Sequence, residues 1–331
     1  MKAVFIKEFG GAEKLEIRKV EDLPKPANDR VLVRVRAAGL NRADLIQRQG
    51  FYPAPKGFPQ EIPGLEFAGE VAETGADVQN FKTGQRVFGI TAGGAQAEFV
   101  SVPENTLVEI PQNLNFIEAA AIPEAFITAH DALFTQAELK MGETVLIHAV
   151  GSGVGLAALQ LAKTAGATTI GTSRTAEKIE RSTPFGLDSG ILTKKEINPE
   201  KFGAAVLSET GGKGVNVVLD LVGAKYLQAN LQSLANLGRL VFVGTTAGTK
   251  AELDIFTVMR KRLRLFGTVL RARSNEEKAA ATRAFAEQVV PLLAKGIVKP
   301  TIDGVYKIEE IRAAHERLES NASFGKIVVE I

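Results

Sequence analysis

Hydrophobic and polar positions change rhythm along the chain. The first third predicts short strands at residues 2–7, 15–20 and 31–36, then at 69–73, 86–90 and 95–102. Within 31–36, Val31, Val33 and Val35 alternate with Leu32, Arg34 and Arg36, the period-two pattern of a half-buried strand. Gly and Pro clusters separate these runs, which together predict a small, mostly antiparallel barrel or sandwich. Residues 50–63 hold too many chain breakers for regular structure and predict a long exposed loop.

The middle third alternates. Strands are expected at 145–149, 167–172, 216–222, 238–244 and 263–270, with helices at 154–165, 175–182 and near 225–235. Strands alternating with helices imply right-handed crossovers and a parallel, doubly wound sheet. The last third adds a charged helix at 275–295, another at 308–320, and a closing strand at 326–331 that is expected to return to the first domain.

Composition narrows the class. The 331 residues have room for two domains, and 45% hydrophobic with 24% charged residues describes a chain that buries a large core. Lys plus Arg number 40 against 38 Asp plus Glu, so the net charge of +2 gives no electrostatic reason to expect nucleic acid or a membrane surface. Arg260–Arg264, Arg271 and Arg273 form a basic cluster without interleaved aromatics, which predicts a solvated face. With no cysteine, disulfides, thiolate metal sites and cysteine nucleophiles are excluded, and a cytoplasmic location is expected. The charged start does not resemble a signal peptide. Residues 145–162 carry no charge over a span-like length, but Gly151, Ser152, Gly153 and Gly155 interrupt them, which favours strand, turn and helix. His130, His148 and His315 make no metal-ligand spacing and are expected to be structural.

The interruption is itself informative. Gly151-Ser152-Gly153-Val154-Gly155 falls where a buried strand becomes a helix. Glycines there permit a tight turn, close backbone approach to a diphosphate and close helix–sheet packing, and free N–H groups at the helix start hold the anion. The alternative is a purely structural turn, which the flanking strand–helix–strand pattern disfavours. NAD sites place an acid near the end of the second strand. Here Ser173 and Arg174 stand in its place, with Lys178 one turn further on. Arg174 can take a 2′-phosphate in a bidentate contact, so NADPH is expected; the alternative is a solvated loop arginine.

Gly64-Leu65-Glu66-Phe67-Ala68-Gly69-Glu70-Val71, followed by Gly75 and Val78, resembles the G-H-E-x-x-G-x-V-x-x-x-G-x-x-V signature of medium-chain alcohol dehydrogenases. Leu65 stands where those enzymes carry a zinc-binding His. Gly39-Leu40-Asn41-Arg42-Ala43-Asp44 resembles their segment with the zinc-binding Cys, and Asn41 takes the Cys position. The cysteine-rich zinc lobe is missing. These departures resemble the zinc-independent branch, the NADPH:quinone oxidoreductases. Asp220–Gly223, Gly238–Gly244 and Gly325–Lys326 extend the resemblance over nearly the whole chain.

The resemblance implies a GroES-like β-barrel domain over 1–122 and 271–331 and a Rossmann NADP-binding domain over 123–270, with no metal. It implies further cofactor contacts at Thr128, Val222, Gly244, Thr245, Leu270, Arg271 and Lys326. Three positions depart from common family usage: Ser152 for a middle glycine, His130 where Tyr is frequent, and Thr193 near a frequent 2′-phosphate Tyr.

The chemistry expected is hydride transfer to a flat acceptor, with negative charge on the acceptor oxygen to be stabilised. Asn41 can donate or accept at the former metal position; its alternative is a helix cap. Tyr52 can donate a hydrogen bond or a proton; its alternative is a loop anchor. Thr128 is otherwise an ordinary helix threonine. The leading expectation is an NADPH-dependent quinone reductase acting on a small molecule. A reductase of activated double bonds, enoyl thioester or alkenal, and an NADPH-binding sensor or structural protein are the alternatives. A homodimer is expected, because the strands at 238–244 and 263–270 form a sheet end that a second copy can cover.

Overall fold

The computed structural model describes residues 1–193 and 198–331. The chain forms two compact units, Met1–Ile127 with Leu270–Ile331, and Thr128–Val269.

The first unit is built on Arg30–Leu40, an eleven-residue strand. It pairs antiparallel with Glu66–Thr74, Phe99–Pro103 and the closing strand Lys326–Glu330. Arg86–Ile90 and Leu107–Glu109 extend the seven-stranded sheet on one side and Ile302–Lys307 on the other. The alternation read in the sequence holds for the first half of the long strand. From Ala37 to Leu40 every residue is buried, so period two disappears and the strand runs four residues beyond the expected end. Gly39 has a packing reason: a Cβ there would lie 2.4 Å from Glu66 Oε1 and 2.5 Å from the Ala120 carbonyl oxygen. The small residues of this stretch therefore make room for an acid. One core gathers Val31, Val33, Val35, Phe67 and Val87; a second gathers Val4, Leu15, Leu40, Leu45, Ile311 and Ile327. A two-stranded ladder, Lys2–Ile6 with Leu15–Lys19, completes the sheets.

The second unit holds a six-stranded sheet, parallel throughout. Its order is Ser189–Leu192, Thr168–Ser173, Thr144–Ile147, Val215–Asp220, Leu234–Phe242, Arg264–Gly267. In chain order this is 3-2-1-4-5-6, the doubly wound arrangement that binds ligands at the carboxyl ends of its strands. Leu146, Ile170, Val218 and Leu240 from four of these strands pack with Phe202, Val206 and Leu231 from the covering helices.

Several expectations need correction. The helix expected at 275–295 is two, Asn275–Gln288 and Val290–Ala294, because Pro291 in the first turn of the second has no N–H to continue the first. The strand expected at 95–102 begins only at Phe99, and that expected at 263–270 stops at Gly267. The strand expected at 216–222 ends at Asp220, whose carboxylate accepts the N–H groups of Val222 and Gly223 at 2.7 and 2.8 Å and turns the chain. Ser189–Leu192 and the helices Pro199–Glu209 and Ile255–Lys261 went unread in the sequence. Residues 50–63 contain neither helix nor strand. Among the described residues no helix is long and apolar enough to cross a membrane.

Candidate active site

In the second unit the glycine turn joins Thr144–Ile147 to the helix Gly153–Thr164. Ser152 caps that helix, its Oγ accepting the Gly155 N–H at 3.1 Å. The departure from glycine thus has a local use. Gly155 is obligatory, since a Cβ would fall 2.6 and 2.7 Å from the Ala149 and Val150 carbonyl oxygens. Ala149 adopts φ +48°, the left-handed conformation that bends the chain into the turn. Gly151, Gly153 and Val154 complete a helix start of the kind that holds a diphosphate.

Beside it ends Thr168–Ser173. Ser173 is buried, its carbonyl oxygen accepting the Thr193 N–H at 2.8 Å, while Arg174 is exposed and Lys178 half-buried. Tyr226, a residue the sequence reading passed over, is buried, hydrogen-bonded to Thr193, and influenced by the charge of Arg174. Burial raises the Tyr226 phenol above its usual value, so it is neutral at physiological pH. Beneath the turn runs a fully buried chain: Asp220 Oδ2 accepts from Asn230 Nδ2 at 2.9 Å, His148 Nε2 meets Asn230 Oδ1 at 2.7 Å, and His148 Nδ1 meets Thr172 Oγ1 at 3.0 Å. Burial depresses the His148 pKa, so the ring is a neutral tie between strand ends. Gly244 packs where a Cβ would be 2.5 Å from the Leu221 carbonyl oxygen, and Gly223 where one would be 2.9 Å from Thr245 Cα. Val222, Gly244 and Thr245 therefore share one tight crossing at the strand ends.

In the first unit Asn41 N-caps the short helix Arg42–Arg48. Its backbone N–H donates to Asp44 Oδ2 at 2.8 Å. Its amide nitrogen donates to Glu66 Oε1 at 2.8 Å, and its amide oxygen accepts from Lys326 Nζ at 2.7 Å. Lys326 Nζ also donates to the Leu40 carbonyl at 2.7 Å and pairs with Glu66 Oε1 at 2.5 Å. The three ammonium hydrogens are thus committed to protein acceptors. Glu66 has no solvent exposure and Lys326 is 5% exposed, so this is a buried ion pair with its hydrogen bonds made. Glu66 Oε2 accepts the backbone N–H of Glu124 at 2.8 Å.

The remaining acids are strongly perturbed. Burial lifts Asp44 to about 6 despite the N–H groups of Asn41 and Gly64, the latter at 3.0 Å. Burial and the adjacent Glu66 carboxylate lift Glu124 to about 8. Glu124 keeps some solvent contact, although protein surrounds it closely.

Tyr52 and Arg271 also come together. Arg271 is 4% exposed, which corrects the expectation of a solvated basic face at that position. Its Nε donates to the Ala92 carbonyl at 2.8 Å, one terminal nitrogen to the Tyr52 carbonyl at 3.0 Å, and the other to Gln47 Oε1. The guanidinium lies 4.8 Å from the Tyr52 ring centroid. Arg271 therefore clamps the breaker-rich loop, and its donors are engaged. The Tyr52 hydroxyl has no hydrogen-bond partner among the described residues, and burial raises its pKa. Lys261 in the same basic cluster is occupied too, its Nζ donating to the Leu231, Gln232 and Leu234 carbonyls. Leu270 is buried and Thr128 half-buried in the helix Pro123–His130.

The structure therefore joins Asn41 with Lys326, Tyr52 with Arg271, and the glycine turn with Ser173 and the strand crossings. The sequence reading missed Glu124 and Tyr226, and gave Asp44, Glu66 and Asp220 no role beyond their motifs. A Pro-Glu pair opening a helix at 123–124 was the one available signal for Glu124.

A 3-2-1-4-5-6 parallel sheet with a glycine turn in one unit, and a GroES-like sheet in the other, mark the class of two-domain dinucleotide-dependent oxidoreductases. Residues 27–112 match the alcohol dehydrogenase GroES-like domain family, and residues 153–287 the zinc-binding dehydrogenase family. The quinone oxidoreductase of Lama guanicoe is 32% identical over 99% of this chain and 97% of its own length. An Escherichia coli quinone oxidoreductase solved with NADPH is 28% identical, has a TM-score of 0.88, and is matched over the full length of both chains. The enoyl reductase JamJ is 25% identical with a TM-score of 0.88, over 99% of this chain and 98% of that one. The chain belongs to the medium-chain dehydrogenase/reductase family. The zinc in one family description does not fit the residues present. Leu65 has no donor atom, Asn41 already bridges Lys326 and Glu66, and among the described residues no group of three His, Cys, Asp or Glu could hold a metal ion.

Proposed function

We propose that this chain is an NADPH-dependent reductase that delivers a hydride to a quinone without a metal. The observation that carries the proposal is the pair of features at the two candidate sites. An exposed arginine follows the second strand where an acid would select NAD, and an ammonium is fixed beside Asn41 where relatives with zinc hold a cation. The cofactor is NADPH. The helix start at Gly151–Gly155 holds its diphosphate, and Arg174, Lys178 and Ser173 take the 2′-phosphate. Val222, Gly244 and Thr245 form the floor at the strand ends, with Thr128 and Leu270 as further contacts. Bound NADPH supplies the hydride.

The protein's own groups do the rest. The Lys326–Glu66–Asn41 network fixes the amide of Asn41 in one orientation. Tyr52, a neutral phenol whose pKa burial raises further, offers its hydroxyl to the acceptor. A quinone is already electrophilic, so a hydrogen-bond donor suffices where an unactivated carbonyl would need a Lewis acid.

An enoyl or alkenal reductase is the second reading, favoured by the full-length similarity to JamJ. An NADPH-binding sensor is the third. NADPH oxidation measured against ortho-quinones, enoyl thioesters and alkenals separates the three: fastest turnover with quinones supports the proposal, fastest with enoyl thioesters the second reading, and tight binding with no turnover the third. We also propose a cytoplasmic homodimer. The edge strand Arg264–Gly267 and the exposed Ile255, Phe256 and Met259 form the face that a second copy would cover. Light scattering that gives a monomer at micromolar concentration would overturn the dimer.

A further inference from the structure

Reducing a quinone or an enone consumes a proton as well as a hydride, and the acids of the first unit differ in whether they can give one. Asp44 is closed to solvent, and its carboxylate accepts two backbone N–H groups. Glu66 is closed too, held by Asn41, Lys326 and the Glu124 N–H. Glu124 differs. Its backbone is pinned to Glu66, but its carboxyl group has no hydrogen-bond partner among the described residues, and it keeps contact with solvent. The groups whose charges act on it are Glu66, Asp44, Lys326, Arg271, Tyr52 and Lys278. The cations among them are engaged elsewhere: Lys326 on three acceptors, Arg271 on the loop carbonyls and Gln47, and Lys278 over the Phe58 ring at 5.7 Å.

We propose that the Glu124 carboxyl group is the proton donor of the reduction. This rests on the reading of the chain as an NADPH-dependent reductase. Bound NADPH would supply the hydrogen and electron pair of the new bond on the acceptor and would leave as the oxidised cofactor. The O–H bond of Glu124 breaks and an O–H bond forms on the acceptor oxygen of a quinone or the enolate of an enone. Solvent then reprotonates the carboxylate. A pKa near 8 keeps the group loaded at neutral pH, while Tyr52 with its raised pKa can donate a hydrogen bond but surrenders its proton less readily.

The first test needs no turnover. An infrared pH titration of the whole protein, wild type against Glu124→Gln, should show one protonated-carboxyl band at pH 7 that disappears near pH 8 and is missing in the variant. No such band, or one already lost below pH 6, overturns the proposal whether or not the protein reduces quinones. The second test is the kcat–pH profile with NADPH and an ortho-quinone. The wild type should lose turnover as pH rises through about 8. E124Q should be about ten-fold slower at pH 7 and lack that falling limb, with NADPH affinity unchanged, and Glu124→Asp should restore the limb. A wild-type protein with the infrared band but no turnover on quinones or enones would sink the functional reading alone. A wild type that turns over while E124Q keeps its rate and its limb would sink the proton donor alone.

Discussion

Replacing Lys326 by Met tests whether the buried network is a structural unit. The methionine has nearly the same length and no charge. It leaves the Glu66 carboxylate, fully buried, with only the Asn41 amide and the Glu124 N–H, and strips a donor from the Leu40 carbonyl and from Asn41 Oδ1. Breaking one side of a buried ion pair costs about 3–5 kcal/mol, most of it the stranded charge. The two orphaned oxygens would add about 1–3 kcal/mol each if independent, but they share one cavity with the carboxylate, so about 4 kcal/mol in total is expected. That is a large part of the ~5–15 kcal/mol that holds a protein folded. Urea denaturation followed by circular dichroism should show the midpoint falling at pH 7. Adding Glu66→Gln should recover about half of the loss. A cost below about 1 kcal/mol for K326M at pH 7, or no recovery in the double variant, would refute the claim that the pair is buried and mutually dependent.

Arg174→Ala should weaken NADPH binding by about 1–3 kcal/mol, the scale of a charge-assisted contact, and leave NADH binding nearly unchanged; equal losses measured by fluorescence titration would remove the 2′-phosphate role. Tyr52→Phe should lower kcat by about ten-fold with quinones without changing stability, because the hydroxyl has no hydrogen-bond partner among the described residues. Asn41→Ala should lower kcat similarly and also cost about 1–3 kcal/mol of stability, because Glu66 and Lys326 each lose one buried hydrogen bond while keeping their ion pair; wild-type kinetics in both variants would make them scaffold. His315 is buried with neither ring nitrogen bonded, and burial together with Arg48 depresses its pKa to about 3. The unfolded chain takes up a proton below about pH 6.5 and the folded one does not, so stability is lost as pH falls from there towards 3. Between pH 7 and pH 5 His315→Leu should abolish about 2 kcal/mol of that loss, and parallel pH profiles for the two proteins would contradict this.

The fold was legible wherever backbone constraints leave a residue signature. The turn at Gly151–Gly155 shows in the sequence because side chains would strike the Ala149 and Val150 carbonyls. Strand Arg86–Ile90 shows because Gly84 precedes it and Gly93 and Gly94 follow it. The long strand Arg30–Leu40 was legible only while one face met solvent; between two neighbours its last four residues are buried and the alternation vanishes. Ser189–Leu192 alternates half-buried and exposed positions without a β-branched run and left too weak a pattern. The chemistry was less visible than the fold. Asn41, Tyr52 and Lys326 were found through motifs; Asp44 and Glu66 lie in the same motifs but without a visible role, and Glu124 in none, because what a carboxylate does depends on burial and on partners distant in the chain. Glu66 and Lys326 are separated by 260 positions and meet only because the closing strand pairs with Arg30–Leu40. Arg271 looked like part of a basic run, and only the three-dimensional loop around it shows why it is buried.

The central claim is hydride transfer from NADPH to a quinone, and the most direct measurement is kcat/KM for one ortho-quinone with NADPH and with NADH on the same preparation. Turnover with a preference for NADPH of at least about ten-fold, some 1.4 kcal/mol, is the result expected from Arg174 in place of an acid. Equal or better use of NADH, or no oxidation of either cofactor by any quinone, would contradict it.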